Sequence, residues 1–104
     1  MSELSGIFYN EKFNKDFEEI VSFISEDSEK NAHKFAVELK TTIERIVKYP
    51  HSGTLETMIK SKDQSYRFKT VMKSWKVIYR ITETTVFFLR IIHNKRSSGE
   101  YSKL

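Results

Sequence analysis

Apolar residues recur at helical intervals along the first half of the chain and at alternate positions along much of the second, and the period changes near Pro50. Phe13, Phe17, Ile20 and Ile24 are spaced by four, three and four residues, with Val21 beside them. That makes one apolar helical stripe, and Lys15, Asp16, Glu18 and Glu19 fall mostly on its wet side. Asn10 is placed to cap this helix, Glu11 lies in the first turn where the helix dipole favours an acid, and the run ends near Ser25. Asp27 or Ser28 caps a second helix, in which Ala32, Phe35, Ala36, Leu39, Ile43, Ile46 and Val47 hold helical spacing for about five turns. The short polar link predicts an antiparallel helical hairpin. Pro50 ends it, and Ser52-Gly53 supplies a turn.

Residues 4–9 read as a short first strand at a sheet edge, weakened by Gly6. Residues 54–64 show no clear period and form a connection with a brief strand around Met58 and Ile59. Three runs rich in β-branched and aromatic residues follow, over 65–72, 75–81 and 86–93. They are parted by Lys73-Ser74 and by Thr82-Glu83-Thr84-Thr85, which predicts an antiparallel meander. Alternation puts Arg67 and Lys69 opposite Tyr66, Phe68, Thr70 and Met72. It also puts Lys76 and Arg80 opposite Val77, Tyr79 and Ile81, and Arg90 opposite Phe87, Leu89 and Ile91. A sheet with one oily and one cationic face satisfies all three runs. The predicted architecture is α+β in a single domain over residues 1–104: N-terminal strand, helical hairpin, three-stranded meander, with both helices on the oily face.

Charge sharpens this picture. The net charge is +4, but residues 1–50 carry seven basic and ten acidic side chains whereas residues 51–104 carry eleven and four. The basic half argues for a polyanion or an acidic protein as partner. Cysteine is absent, which removes disulfides, thiolate metal sites and thiol nucleophiles. Neither a secretory signal nor an apolar run of about 18 residues is present, so a cytoplasmic protein with no membrane partner is expected.

His33, His51 and His93 are scattered, so no metal site is expected, and no glycine-rich phosphate loop suggests a cofactor. Arg67, Lys69, Lys76, Arg80, Arg90, Lys95 and Arg96 are expected to converge on the outer face or its margin. The competing reading is a solvated face whose lysines block edge pairing. If the chain is an enzyme, its chemistry rests on cations, His93 and tyrosines. Attack of a ribose 2′-hydroxyl on the adjacent phosphate builds charge that guanidinium and ammonium groups stabilise without metal. His93, Tyr101 or a lysine of depressed pKa would then move the protons. His93 has the strand parity of the oily face and reads equally as a core residue. Tyr79 shares the parity of Val77 and Ile81 and reads as core, while Trp75 opens a strand and fits either side.

Taken in order, Tyr66-Arg67-Phe68-Lys69, Trp75-Lys76-Val77-Ile78-Tyr79-Arg80-Ile81 and Phe88-Leu89-Arg90-Ile91-Ile92-His93-Asn94-Lys95-Arg96 resemble the RelE/ParE superfamily of type II toxin-antitoxin toxins. The helical hairpin with Pro50 and Gly53 after it is similar too. The resemblance implies helices backing a curled antiparallel sheet, no cofactor, a cognate antitoxin that covers the active face, and operator DNA contacted only through the antitoxin complex. In RelE-like members a basic cluster and a C-terminal Arg and Tyr cut mRNA on the ribosome. Arg67, Lys69, Lys76 and Arg96 stand where those basic residues fall, and Tyr101 sits near the tyrosine position. This endoribonuclease is the leading expectation, with Tyr101 or His93 assisting proton transfer and Arg80, Arg90, Lys95 and Lys73 binding the target. The alternative is a toxin that poisons DNA gyrase without being a nuclease, because the ending 90–96 more closely resembles ParE-like members. A third is a toxin-like binding module without activity.

Overall fold

A computed structural model describes residues 6–55 and 66–94. The elements are β1 (Gly6–Tyr9), α1 (Glu11–Asp27), α2 (Glu29–Lys48), a 3-10 turn at Pro50–Ser52, β2 (Thr54–Leu55), β3 (Tyr66–Val71), β4 (Trp75–Ile81) and β5 (Thr85–His93). The strands form one open sheet in the order β1-β5-β4-β3-β2. β1 runs parallel to β5 and every other pairing is antiparallel. Strand, hairpin and meander therefore fall where the periodicity places them. β2 lies at Thr54–Leu55, while Met58 and Ile59 fall outside the described residues.

The hairpin is punctuated by two polar side chains. Asn10 accepts a hydrogen bond from the Lys12 amide at 2.8 Å, satisfying one of the donors left over at a helix start. Ser28 ends α1 and begins α2: its amide donates to the Ile24 carbonyl at 2.9 Å, and its hydroxyl accepts from the Asn31 amide at 3.1 Å. α1 thus runs to Asp27, two residues past the expected end. The apolar stripes of both helices meet the sheet, where Phe13, Ile20, Phe35, Leu39 and Ile46 pack against Val71, Val77, Tyr79, Val86, Phe88 and Ile91. Phe13 lies 5.6 Å from Phe88, and Phe17 stacks on Phe35 at 6.4 Å. Among the described residues no helix is long and apolar enough to cross a membrane.

The faces of the sheet depart from expectation in two places. The β3–β4 turn pairs Val71 with Trp75, leaving the three residues Met72, Lys73 and Ser74 in the loop rather than Lys73-Ser74 alone. One extra turn residue moves the pairing by one and reverses a strand's faces. Arg67 therefore pairs with Tyr79 and Lys69 with Val77, on the helix side, while Tyr66 and Phe68 turn outward beside Arg80 and Ile78. In β5 the second departure is a bulge: Ile78 pairs with Arg90 and Tyr79 with Phe88, which leaves Leu89 unmatched. The inward set is consequently Val86, Phe88 and Ile91, and Phe87 faces outward, 5.6 Å from Phe8. In place of one oily and one cationic face, the sheet has apolar residues at the centre of both.

Candidate functional site

The cations expected to converge are divided among three places. On the outer face, Ile78 and Ile92 are buried beneath Tyr66 and Phe68. Lys76 lies over the Phe68 ring at 4.4 Å, and Arg80 lies 5.9 Å from the Tyr66 ring centre. These are cation–π distances, the attraction coming from the negative face of each ring. The surface so formed is an apolar centre flanked by two positive side chains.

Arg67 and Lys69 lie on the helix-facing side, at the margin next to the 3-10 turn. Arg67 Nη1 donates to the Gly53 carbonyl at 2.8 Å and to the His51 carbonyl at 3.2 Å. Its guanidinium ties the turn to β3. Tyr79 completes the tie from within the core: its hydroxyl donates to the Pro50 carbonyl at 2.8 Å and accepts from the Gly53 amide at 3.1 Å. Burial pushes the Tyr79 phenol above its ordinary pKa, partly offset by the Gly53 hydrogen bond and the positive charge of Arg67. Gly53 is required by this closeness, since a Cβ there would collide with the Tyr79 hydroxyl.

Arg90 is committed elsewhere. Its Nε donates to Asp16 Oδ2 at 2.7 Å and its Nη2 to Oδ1 at 3.1 Å, a bidentate pair between β5 and α1. Asp16 Oδ2 also accepts from the Ile91 amide at 2.9 Å. β1 stops pairing at Phe88, so this carboxylate serves a backbone donor on the part of β5 beyond β1. Asp16, expected on the wet side of α1, is instead largely buried.

His93 shares the Trp75 side of the sheet, its ring edge-on to the indole at 5.0 Å, and Trp75 in turn packs edge-on against Phe35 at 6.0 Å. That matches the parity reading of His93 as an oily-face residue. Lys73 sits in the β3–β4 turn, where its carbonyl accepts from Asn94 Nδ2 at 2.6 Å. Lys95, Arg96 and Tyr101 lie outside the described residues. No cluster of metal-ligating side chains occurs among the described residues. The phosphate-stabilising set expected from the sequence is thus not gathered among them: Lys76 and Arg80 share one face, Arg67 and Lys69 the other, and Arg90 is paired with α1.

The sequence reading also passed over Arg45. It lines a cleft of about 290 Å³ between the end of α2, the 3-10 turn and β3, together with Lys69, Thr42, Ser52, Thr54 and Thr70. Nothing in helical periodicity pairs a residue of α2 with one of β3, so only the register of the sheet exposes the connection.

Comparison with known proteins places this geometry. Residues 7–97 match the family described as ParE toxin of type II toxin-antitoxin system, parDE. No curated protein matches the chain. Among solved structures, the chromosomal ParDE TA system from P. aeruginosa superposes with a TM-score of 0.67 at 15% identity, over 88% of this chain and 98% of that one. YafQ from E. coli strain BL21(DE3) gives 0.57 at 22% identity, over 85% and 91%. The E. coli DinJ-YafQ complex gives 0.56 at 22% identity, over 84% and 90%. At these identities the likeness is one of fold.

Proposed function

The chain belongs to the ParE toxin family of type II toxin-antitoxin systems, and from that premise we propose that it acts by docking on DNA gyrase rather than by cutting mRNA. The observation that carries this reading is the division of the cations between the two faces of the sheet. Cleavage of RNA without metal needs several positive groups and a proton carrier around one phosphate. Among the described residues, Arg67 Nη1 is bonded to the His51 and Gly53 carbonyls and Arg90 to Asp16. The outer face offers instead an aromatic and aliphatic centre, Tyr66, Phe68, Ile78 and Ile92, with Lys76 and Arg80 at its side. Aromatic residues flanked by cations are the composition of a protein-binding hot spot.

The family membership also supports a cognate antitoxin as partner, as do the toxin-antitoxin complexes among the structures of like fold. An acidic, amphipathic antitoxin segment suits the positive second half of the chain.

The test is induction of the chain without its antitoxin, scoring DNA and RNA damage in the same cells, alongside supercoiling by purified gyrase. Trapped gyrase cleavage complexes with intact transcripts are expected. Transcripts cut on the ribosome, with gyrase unaffected, return the protein to the endoribonuclease reading, in which Arg67, Lys69, Lys76 and Arg96 stabilise the phosphate and Tyr101 or His93 assists proton transfer.

A further inference from the structure

We propose that the cleft between the end of α2 and the edge of β3 is a phosphate site that engages a nucleic-acid backbone, whichever target the toxin takes. Arg45 reaches it from the last turn of α2, and Lys69 from β3. Among the described residues no carboxylate lines it. The C-terminal end of a helix carries roughly half a negative charge, which Arg45 offsets, so with the ammonium of Lys69 the described lining is net positive.

The polar groups around these two cations are donors with capacity to spare. Thr42, Thr54 and Thr70 line the cleft, and their hydroxyls make no side-chain hydrogen bond among the described residues. By contrast, Ser52 has its hydroxyl proton committed to the Tyr49 carbonyl at 2.6 Å and adds no donor. Two cations and the Thr42 hydroxyl offer more donors than the two oxygens of a carboxylate can use. A phosphate has oxygens to meet them. The volume, about 290 Å³, lies just under the roughly 300 Å³ at which pockets for small organic ligands begin. It suits a phosphate and an adjoining sugar.

The floor of the cleft is held before any ligand arrives. Tyr79 and Arg67 clamp the carbonyls of Pro50, His51 and Gly53 from below, so the 3-10 turn and Thr54 are fixed relative to β3. A site already in its bound shape loses little entropy on binding.

Two measurements on the full chain test the proposal. Inorganic phosphate is titrated while backbone amides are followed by NMR; Gly53, Thr54, Lys69 and Thr70 are expected to shift and the α1 amides to stay. In parallel, labelled duplex DNA and single-stranded RNA are bound to the wild type, to R45A/K69A and to the control K12A/K15A over a range of salt. The cleft variant is expected to bind on the order of tenfold more weakly, with a log–log salt slope shallower by about 1.8 on duplex DNA or about 1.4 on single-stranded RNA. The nucleic acid showing that change is the one the cleft holds. Phosphate that moves no cleft amide overturns the proposal, as does an R45A/K69A variant indistinguishable from wild type on both nucleic acids. A poly-glutamate peptide that shifts the cleft amides while phosphate does not would assign it to carboxylates instead.

Discussion

The two faces of the sheet are made from similar residues and end in different states. Under the helices, Val77, Tyr79, Val86 and Phe88 lose all their exposure, with Phe13, Phe35 and Ile46 closing over them. On the outer face, Ile78 and Ile92 are as deeply buried, yet their cover among the described residues is Tyr66 and Phe68, themselves half exposed beneath Lys76 and Arg80. The inner face has a second layer of structure; on the outer face the cover among the described residues is side chains alone. A layer two rings thick shields an aliphatic pair but leaves its own apolar surface at the boundary with water, and such surface marks an interaction site. The inner face holds the fold together, and the outer face is the surface the proposed docking would use.

Truncation is the strongest way to break that contrast. Phe88→Ala empties a fully buried site that touches Phe13, Tyr9 and Tyr79, and is expected to cost about 3–5 kcal/mol. Phe68→Ala on the outer face leaves a hole that water reaches, so it is expected to cost less than half as much while weakening target binding more. Urea unfolding and a binding assay on both variants decide the matter. Equal losses of stability would mean that the outer face is as much a core as the inner one.

The contrast has an electrostatic counterpart at the edge of β5. Arg90 is bonded to Asp16 at both ends of the carboxylate, with side-chain exposures of 20% and 12%, whereas Lys76 and Arg80 lie over rings on the open face. Replacing Asp16 by alanine removes the carboxylate from a partly buried guanidinium and from the Ile91 amide, and a loss of about 2 kcal/mol is expected once solvent access is discounted. Lys76→Ala should cost well under 1 kcal/mol. In a double-mutant cycle, Asp16→Ala and Arg90→Ala should be coupled by at least 0.5 kcal/mol. Additive effects would show the pair to be a surface contact.

Tyr79 supplies a pH test of the inner face. Its pKa is raised from 10.0 by burial, so the folded chain holds the phenol proton more tightly than the unfolded chain does. The resulting stability is fully present below the unfolded value of about 10 and is lost as pH rises towards the folded one. Tyr79→Phe leaves the Pro50 carbonyl and Gly53 amide without their partner, an expected cost of about 1–3 kcal/mol at neutral pH. Above pH 10 the difference between variant and wild type should narrow. A constant difference would mean that the phenol ionises as easily folded as unfolded.

Much of this was legible in the sequence, and the parts that were not share a cause. Helical stripes repeat over several turns, so Phe13, Ile20, Phe35, Leu39 and Ile46 identify their own buried faces. The edge position of β1 and the Asn10 cap follow from short-range chemistry. Strand faces have period two, and one residue more or less exchanges them. The meander contains two such residues, one in the β3–β4 turn and Leu89 in the β5 bulge. The first put Arg67 and Lys69 on the wrong face and the second did the same to Phe87 and Phe88. Clues were present in hindsight: with Val86 and Phe88 inward, the apolar set Val86-Phe88-Ile91 breaks alternation only at the bulge. The Asp16–Arg90 pair and the cleft between Arg45 and Lys69 join residues distant in the chain, and no local pattern announces them.

The turn that decides which cations face which way is itself under tension, and this gives the smallest effect. Met72 and Lys73 have φ of 52° and 61°, the left-handed region that glycine enters without penalty and other residues at a cost. No glycine, asparagine or aspartate marks the position, and a two-residue Lys73-Ser74 break is the natural reading of the polar pair. What holds the three-residue turn is the register on either side: Val71 and Trp75 both belong to the helix-facing side, and Asn94 donates from its amide to the Ser74 carbonyl at 2.7 Å and from Nδ2 to the Lys73 carbonyl at 2.6 Å. Lys73→Gly should keep those carbonyl contacts and relieve the backbone, raising stability by about 0.5 kcal/mol after the extra freedom of the unfolded chain is subtracted. Thermal unfolding measures it. A destabilised Lys73→Gly variant would show that the lysine side chain, rather than the register, sets the turn, and the assignment of Arg67 and Lys69 to the helix side would lose its explanation.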